Sequence, residues 1–182
     1  MSEIRLRRAS PYDVDYLLGL GRDEDIAPFL AAGRAATGEE LLAEVERSLA
    51  EPGSFGRFLV EVADPGEWRL AGAIGFERTN RRSRIAAIGG LAIDPAFRGR
   101  GLGAKAIRAL ARLLFSELEY HRLEAEAYAF NRRALLAIER SGFIREGIKR
   151  RAFWRDPEWV DGVSFGLTRE EFCEDLESDS LG

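Results

Sequence analysis

The glycine-rich stretch that follows a short apolar strand constrains this chain more than any other segment. Residues 91–93 are apolar, and Asp94-Pro95 ends the strand because proline restricts the preceding residue and lacks an N–H donor. Alternate positions over residues 99–103 are glycine, which lets bare backbone approach a ligand. The helix predicted to follow points its free N–H groups and positive dipole end into this loop, an arrangement that favours phosphate.

The spacing of these glycines separates the loop from better-known phosphate loops. A P-loop is excluded because no Gly-Lys-Ser/Thr closes the pattern, and the third glycine comes one residue early for a dinucleotide fingerprint. The pattern present is Arg-x-x-Gly-x-Gly, formed by Arg98, Gly101 and Gly103, with Arg100 as a second cation. A glycine-rich turn with exposed arginines is the alternative that the loop alone leaves open.

Hydrophobic periodicity predicts the element order β-α-α-β-β-β-α-β-α-β-β. Ser10-Pro11 marks the start of the first helix, and a capping box of Thr37 and Glu40 marks the second. The absence of linker-like composition predicts one domain over 1–182, with an acidic helix and tail over 170–182. The apolar stripe of the first helix is predicted at Tyr12, Tyr16, Leu17 and Leu20.

Composition narrows the possible partners of the chain. Its 182 residues are 46% apolar and 32% charged, as in a globular domain, and a net charge of −4 gives no general attraction to nucleic acid or anionic membrane. Cys173 is the one cysteine, so an internal disulfide is impossible. With no signal peptide or membrane span visible, we expect a cytoplasmic protein without a nucleic-acid, membrane or metal partner.

A second motif lies beyond the predicted strand 121–129. Asn131 opens a short helix that ends at Gly142-Phe143, and together with the glycine loop this pattern resembles the GNAT acetyltransferase superfamily. Asp161 and the closing residues 167–172 are similar to its RimJ/RimL-like branch. The resemblance implies an α/β (α+β) fold, with a mixed, mostly antiparallel, twisted sheet of about seven strands, splayed central strands and helices on both faces.

The resemblance also implies acetyl-CoA as cosubstrate. Asn131 carries over as a side-chain contact to it, although the same residue is a good N-cap for its helix. Gly89 and Gly90 are a candidate place for the bulge that parts the central strands, and relief of crowding beneath a helix is the alternative. The diphosphate is expected on loop amides and the pantetheine arm beside the preceding strand, which places the cofactor at Leu91, Ala92, Ile93, Arg98, Gly99, Arg100, Gly101, Leu102, Gly103 and Ala104.

The customary acid and base of the family are missing here. Ala87, Ala134 and Ile138 stand where many relatives carry a glutamate, a serine and a tyrosine. The remaining catalytic candidates are Glu126 and Tyr128, on the polar face of strand 121–129. Glu124 and Glu77 stand behind them, and for each of these residues a structural ion pair with one of the many arginines is the alternative. The sole histidine, His121, is expected at the surface near the strand's start.

The acceptor is expected to be a primary amine on a small molecule or a peptide N-terminus. An α-amine of pKa about 8 loses its proton at pH 7 for about 1.4 kcal/mol, whereas a lysine of pKa about 10.4 needs about 4.6. A site without an obvious strong base therefore favours an α-amine or an amino sugar. The acidic run at residues 23–25 could attract the ammonium form, although a solvated loop is the simpler interpretation.

Two other functions stay open at this point. The missing acid and base allow an acyl-CoA-binding regulatory module without catalysis. ATP binding through the glycine loop is weaker, because no Walker lysine or metal-binding partner motif is present. In the family, the first two helices and the final hairpin form the acceptor pocket, where Phe153, Trp154 and Trp159 are candidate lining residues. A homodimer is possible, and nothing in the sequence decides it.

Overall fold

The computed structural model describes residues 3–29, 36–155 and 157–173. Its strands are β1 (Ile4–Arg8), β2 (Phe55–Asp64), β3 (Glu67–Asn80), β4 (Ile85–Ile93), β5 (Arg122–Tyr128), β6 (Ile144–Arg155) and β7 (Glu158–Thr168). Its α-helices are α1 (Val14–Arg22), α2 (Gly38–Ala50), α3 (Leu102–Ser116) and α4 (Arg132–Arg140). The predicted order of these elements is confirmed.

The strands form one mixed sheet. Its seven strands lie in the order β1-β2-β3-β4-β5-β7-β6. Neighbours pair antiparallel except β4 and β5, which pair parallel. The expected mostly antiparallel sheet is therefore confirmed. Helix also begins again after β7, over residues 169–173, whereas Asp156 of the predicted final turn and residues 174–182 of the predicted tail lie outside the described residues.

Helices cover both faces of the sheet, each over its own apolar core. Neighbouring residues of a strand point to opposite faces, and Leu59 and Val60 of β2 accordingly join different clusters. On the face we call the α3 face, Val60 packs with residues of α3 such as Ile107 and Leu110. On the opposite α1 face, Leu59 packs with residues of α1 and α2, among them Val45.

The two central strands part after a short paired region. β4 and β5 pair only from Ile85 with Arg122 to Ile88 with Ala125 within the described residues. Beyond these pairs β4 runs on through residues 89–93 and β5 through residues 126–128. We call the space between these unpaired ends the strand gap. The splay that the resemblance implied is therefore present.

A bulge in β4 accompanies this parting. Along β3 the register advances from Gly75 to Ala73, while its partners in β4 run from Gly89 to Ala92, so β4 carries one extra residue. Gly90 lies within that insertion with φ of +62°, a conformation that glycine adopts at least cost. The predicted bulge at Gly89 and Gly90 is confirmed, and it lies directly after the last pair between β4 and β5.

Candidate active site

The glycine loop, residues 98–103, leaves β4 through a helical turn at Pro95–Phe97 and enters α3. Gly99 and Gly101 have φ of +77° and +72°, and Gly101 is the N-cap of α3. Left-handed backbone at both positions is where a side chain would be strained. An added Cβ at either glycine would have no atom within 4 Å, so both face open space.

A run of backbone amides is left free by this geometry. The Arg98 amide donates to the Pro95 carbonyl at 3.3 Å, and the Lys105 amide donates to Gly101 at 3.3 Å. Between them, the amides of residues 99–104 donate to no backbone carbonyl in the described part of the chain. Such amides at the start of a 15-residue helix form a natural binding place for a diphosphate.

Gly103 is needed because it has no side chain, not because its backbone adopts a left-handed conformation. A Cβ added to Gly103 would lie 3.4 Å from Cβ of Ala137 in α4 and 3.6 Å from Cδ2 of Leu91 in β4. The third glycine of the motif therefore brings α3 close to α4 and to the strand before the loop. This close approach fixes the position of α3, the helix that begins at the glycine loop.

The Arg98 side chain turns away from the free amides. Its Nε donates to the Ile93 carbonyl at 3.2 Å, and its Nη1 lies 2.5 Å from a carboxylate oxygen of Asp25. Its Nη2 lies 3.7 Å from Asp23, and the side chain is only 23% exposed. The guanidinium of Arg100, by contrast, lies 5.4 Å from the centre of the Phe97 ring in an exposed position.

The end of β4 presents one paired and one open side. Gly72 and Ala73 of β3 pair with Ile93 and Ala92. The opposite side of this segment has left β5, since the last pair between the two strands is at Ile88. Backbone groups of residues 91–93 therefore border the strand gap, where an extended ligand arm could lie as an added strand.

Asn131 caps α4 with its side chain. Its Oδ1 accepts a hydrogen bond from the Ala134 amide at 3.1 Å. The capping role that the sequence offered as an alternative is therefore present in the structure. The cap uses Oδ1 of Asn131. A hydrogen bond from Nδ2 of the same side chain to the cofactor is compatible with it and stays a prediction.

Glu126 is the first residue of β5 beyond its last pair with β4. Leu123 and Ala125 pack in the core of the α3 face, so the alternating Glu124 and Glu126 lie on the α1 face. Glu126 accepts a hydrogen bond from Nζ of Lys149 in β6 at 3.0 Å, and its side chain stays 31% exposed. A partly solvated carboxylate thus stands at the mouth of the strand gap, held by one cation.

Tyr128 lies two residues further along the same face, and it is buried. Its ring stacks on Phe130 at 5.3 Å and meets Phe153 edge-on at 5.1 Å. The guanidinium of Arg155 lies 5.2 Å from the ring centre. Tyr128 thus packs among aromatic rings, a role that the sequence did not predict, and Phe153, a predicted pocket residue, is one of them.

Comparison with known proteins agrees with this geometry. The model of the acetyltransferase (GNAT) domain family matches residues 3–144, which include the glycine loop, the strand gap and α4. The chain belongs to the GNAT acetyltransferase family. The curated relatives of this GNAT domain include the SPbeta prophage-derived N-acetyltransferase YokL of Bacillus subtilis, 35% identical over 82 residues, or 45% of this chain and 46% of that protein.

A second relative belongs to the branch suggested by the sequence. The ribosomal protein uS5 alanine N-acetyltransferase of Escherichia coli is 29% identical over 115 residues, which cover 63% of this chain and 59% of that protein. The matched part is thus about half the length of the curated relatives. Among solved structures, the spermidine N-acetyltransferase of Vibrio cholerae in complex with CoA and spermine superposes with a TM-score of 0.82 at 20% identity, over 93% of this chain and 98% of that chain.

The other polar candidates of this GNAT domain lie in structural ion pairs. Glu77 meets Arg47 at 2.9 Å, and Glu124 meets Arg122 at 3.2 Å. Ala87 pairs with both Glu77 and Glu124 across the sheet, so carboxylates flank the position that many relatives fill with glutamate. His121 is exposed one residue before β5.

The structure adds one charged pair that the sequence did not single out. Arg57 of β2 reaches across Gly75, and its Nη1 would lie 2.5 Å from a Cβ on Gly90. Its Nη2 pairs with the Glu44 carboxylate of α2. The guanidinium thus lies on the bulge, on the α1 face. The sequence feature that could have indicated this contact is a pair of glycines, Gly75 and Gly90, in the next two strands of the sheet after the one that carries Arg57. That feature is recognisable only when the register of the strands is known.

Two further features of the described residues concern metals and membranes. No helix there is long and apolar enough to cross a membrane. No group of three or more His, Cys, Asp or Glu side chains in those residues is placed to hold a metal ion.

Proposed function

We propose that the protein is an N-acetyltransferase that moves acetyl from acetyl-CoA directly to a primary amine. The observation that carries this proposal is the adjacency of free amides at residues 99–104 and an unpaired strand edge at 91–93. The amides fit a diphosphate, and the edge fits the amide-bearing arm that follows it in coenzyme A. Bound acetyl-CoA supplies a thioester, an acyl group already activated for transfer.

The loop supplies the binding part of the mechanism. Amides of Gly99, Gly101 and Gly103 donate to phosphate oxygens, and the dipole of α3 adds to their attraction for negative charge. Arg100 adds an exposed cation beside the loop. Residues 91–93 hold the arm through backbone hydrogen bonds, and a backbone N–H near Ile93 polarises the acyl carbonyl as an oxyanion-hole donor does.

Glu126 is the proposed general base. It stands where β5 leaves β4, on the face opposite α3, and its contact with Lys149 keeps the carboxylate oriented. It takes a proton from the acceptor ammonium, the amine nitrogen bonds to the acyl carbon, and the carbon–sulfur bond breaks. Tyr128, on the same face, is the proposed donor of the proton that the leaving thiolate needs, and the second proton that the amine nitrogen loses restores the Tyr128 hydroxyl.

The charges around the strand gap bear on the acceptor. Three cations lie on the α1 face near the strand gap: Lys149, Arg155 and Arg57. Lys149 and Arg57 already pair with the carboxylates Glu126 and Glu44, so these pairs offer little negative charge to hold a polyamine, which carries several positive charges. We therefore propose an acceptor with one amine of low pKa, on a peptide N-terminus or an amino sugar, although the structural relative from Vibrio cholerae is a spermidine enzyme. The cytoplasm supplies acetyl-CoA and such amines, and we place the protein there.

An acceptor panel tests this function. Thiol release from acetyl-CoA is followed with N-terminal peptides, amino sugars, spermidine and a peptide whose only amine is a lysine side chain. We expect turnover on a member of the first two groups to exceed that on spermidine and lysine by at least about tenfold. CoA binding without transfer to any amine would instead support the regulatory module, and equal turnover on lysine would contradict the acceptor class.

A further inference from the structure

Residues 23–29, the described part of the connection between α1 and α2, span the strand gap. They are called the bridging segment here. Its fold is set locally: the Asp25 amide donates to Oδ1 of Asp23 at 3.0 Å, and the Ile26 amide donates to the Asp23 carbonyl at 3.0 Å. Ile26 is buried in the core of the α1 face, which anchors the middle of the segment.

The first end of the bridging segment is tied to the glycine loop. Arg98, five residues beyond the end of β4, contacts Asp25 at 2.5 Å and Asp23 at 3.7 Å. Its Nε also donates to the carbonyl of Ile93, the last residue of β4, at 3.2 Å. One guanidinium therefore joins the end of β4 to the start of the bridging segment.

The second end is tied to the region beyond β5. The Phe29 ring lies 5.9 Å from the Phe130 ring, which stacks on Tyr128 at the end of β5. The carbonyl of Pro28 accepts a hydrogen bond from Nη2 of Arg155, whose guanidinium lies over Tyr128. The segment thus runs from the end of one splayed strand to the end of the other, on the α1 face.

This arrangement gives the Arg98 side chain a partner for each of its three nitrogens. The group formed with Asp23 and Asp25 carries one positive and two negative formal charges. A diphosphate gains little attraction from a cation already matched by two carboxylates, and recruiting that cation would break contacts at 2.5 and 3.2 Å. The amides of residues 99–104 offer the phosphate donors without that cost.

We infer that Arg98 is a positioning residue that fixes the bridging segment across the strand gap and so sets affinity for the amine acceptor, not for the acyl donor. The inference rests on the proposed acetyl transfer, because it concerns the second substrate of that reaction. An acceptor approaching Glu126 on the α1 face passes the bridging segment. Releasing the segment at Arg98 frees its first end, while Phe29 and Pro28 still hold the second.

The test separates binding of the two substrates. Affinity for CoA is measured by calorimetry, and steady-state kinetics give kcat and the KM for the best amine of the panel. For Arg98→Ala we expect the amine KM to rise at least about tenfold, while the Kd for CoA changes less than about threefold. Asp25→Asn, at a largely exposed side chain, should shift the amine KM in the same direction without loss of folding.

Two matched variants separate the contacts made by Arg98 from effects of charge alone, one in the bridging segment and one at Arg98 itself. Glu24→Gln removes the same charge from the same exposed segment, without a role in the Arg98 contacts, and should leave the amine KM unchanged. Arg98→Lys keeps the charge but cannot reproduce the fork of contacts, so it should restore only part of the affinity for the amine. In the double variant of Arg98→Ala with Asp25→Asn, the second change should add little to the first.

Each contrary outcome has a definite meaning. A loss of CoA affinity above about tenfold in Arg98→Ala, with the amine KM unchanged, would make Arg98 a phosphate ligand and overturn the inference. An equal rise of the amine KM in Glu24→Gln would show that the segment attracts the ammonium by charge alone, which also overturns it. Failure of the unaltered protein to bind CoA or release thiol would instead overturn the proposed function.

Discussion

At the scale of single residues, the position of Glu126 leads to the most direct prediction. Replacement by Gln keeps the shape of the side chain and its place beside Lys149 but removes the basic oxygen. We expect kcat/KM to fall by about 10²-fold or more, as loss of a general base commonly costs. Thiol release measures the activity, and calorimetry should show that affinity for CoA is retained.

The control for that prediction is Lys149→Met. It removes the cation that holds Glu126 but leaves the carboxylate, so its effect on kcat/KM should be clearly smaller than that of Glu126→Gln. If the two variants lose activity equally while binding CoA normally, the ion pair rather than the base is what the reaction needs. Full activity in Glu126→Gln would remove Glu126 from the mechanism.

Residue-level expectations from the sequence succeeded where local chemistry decides. The capping oxygen of Asn131 and the capping box of Thr37 and Glu40 are present as predicted, because they need only neighbours within one turn. Tyr12 was wrongly expected in a buried stripe and is 97% exposed. Residues Pro11–Asp13 form a tighter helical turn, so the spacing of an α-helix does not apply at that position.

At the scale of elements, the bulge in β4 makes a prediction about stability. Gly90→Ala places a Cβ on backbone with φ of +62° and against the Arg57 guanidinium. We expect the free energy of unfolding to fall by about 1–2 kcal/mol, measured by urea denaturation. Gly89→Ala is the matched control, because its Cβ would meet no atom within 4 Å and its φ is not positive.

The comparison of these two alanine variants tests the bulge itself. If Gly89→Ala costs as much stability as Gly90→Ala, the left-handed conformation of Gly90 is not what the bulge requires. Equal stability of both variants and the unaltered protein would likewise show that the bulge tolerates a side chain at Gly90.

A buried ion network joins β1, β2 and the start of α1, and it predicts a pH dependence. The two nitrogens of the Arg7 fork meet both oxygens of Asp13 at 2.9 Å, and Nε of Arg7 meets Glu61 at 2.9 Å. The hydrogen bonds from Arg7, opposed by burial, lower the pKa of Asp13 from its ordinary 3.8 to about 2. Because the folded pKa is the lower one, this stabilisation is full above pH of about 4 and is lost as the pH falls towards 2.

The measurement compares Asp13→Asn with the unaltered protein in urea at several pH values. At pH 7 the variant should be less stable, since it removes the charge of the buried carboxylate that meets two nitrogens of the half-buried Arg7 and leaves Glu61 as the remaining charged partner. The difference in unfolding free energy should shrink between pH of about 4 and 2. A difference that stays constant over this range would mean that the carboxylate's charge contributes nothing to stability.

The sequence predicted the order of the helices and strands along the chain correctly, but it did not predict which residues of neighbouring strands pair in the sheet. Glycine pairs mark bulges, so Gly89 and Gly90 located the parting of the strands before any strand order was known. The contact of Arg57 with Gly90 depends on β3 lying between β2 and β4 with Gly75 in register. Register is a tertiary property, and no local pattern around Arg57 could have supplied it.

At the scale of the whole molecule, the fold class followed from the resemblance to the family. The contacts that hold the bridging segment across the strand gap did not follow from it. Arg98 and Asp25 are 73 residues apart, and Phe29 meets Phe130 across an even longer separation. Side chains so distant in the sequence are brought together by the crossing of α1 over the sheet. The sequence therefore predicted the loop and the strand edge, but not the segment that spans them.

Few backbone pairs join the two halves of the sheet, and the unpaired edge that this leaves on β4 predicts that CoA raises the stability of the folded protein. The half formed by β1 to β4 pairs with the half formed by β5 to β7 only over Ile85–Ile88 within the described residues. A ligand held by both the glycine loop and the edge of β4 binds the folded state alone. At a CoA concentration of about 100 Kd it should add about 2.7 kcal/mol, or about 5–10 °C in Tm.

Differential scanning calorimetry with CoA, with adenosine 3′-phosphate 5′-diphosphate and without ligand measures this effect. CoA should raise Tm more than this nucleotide at equal concentration, because the nucleotide keeps the diphosphate but lacks the arm that residues 91–93 would hold. Gly101→Val should abolish most of the shift, whereas Gly66→Val, which places the same side chain on left-handed backbone in the β2–β3 turn, should lower Tm but keep the shift. Equal shifts with both ligands would show that the strand edge holds nothing, and the strand gap would then have no part in binding the acyl donor.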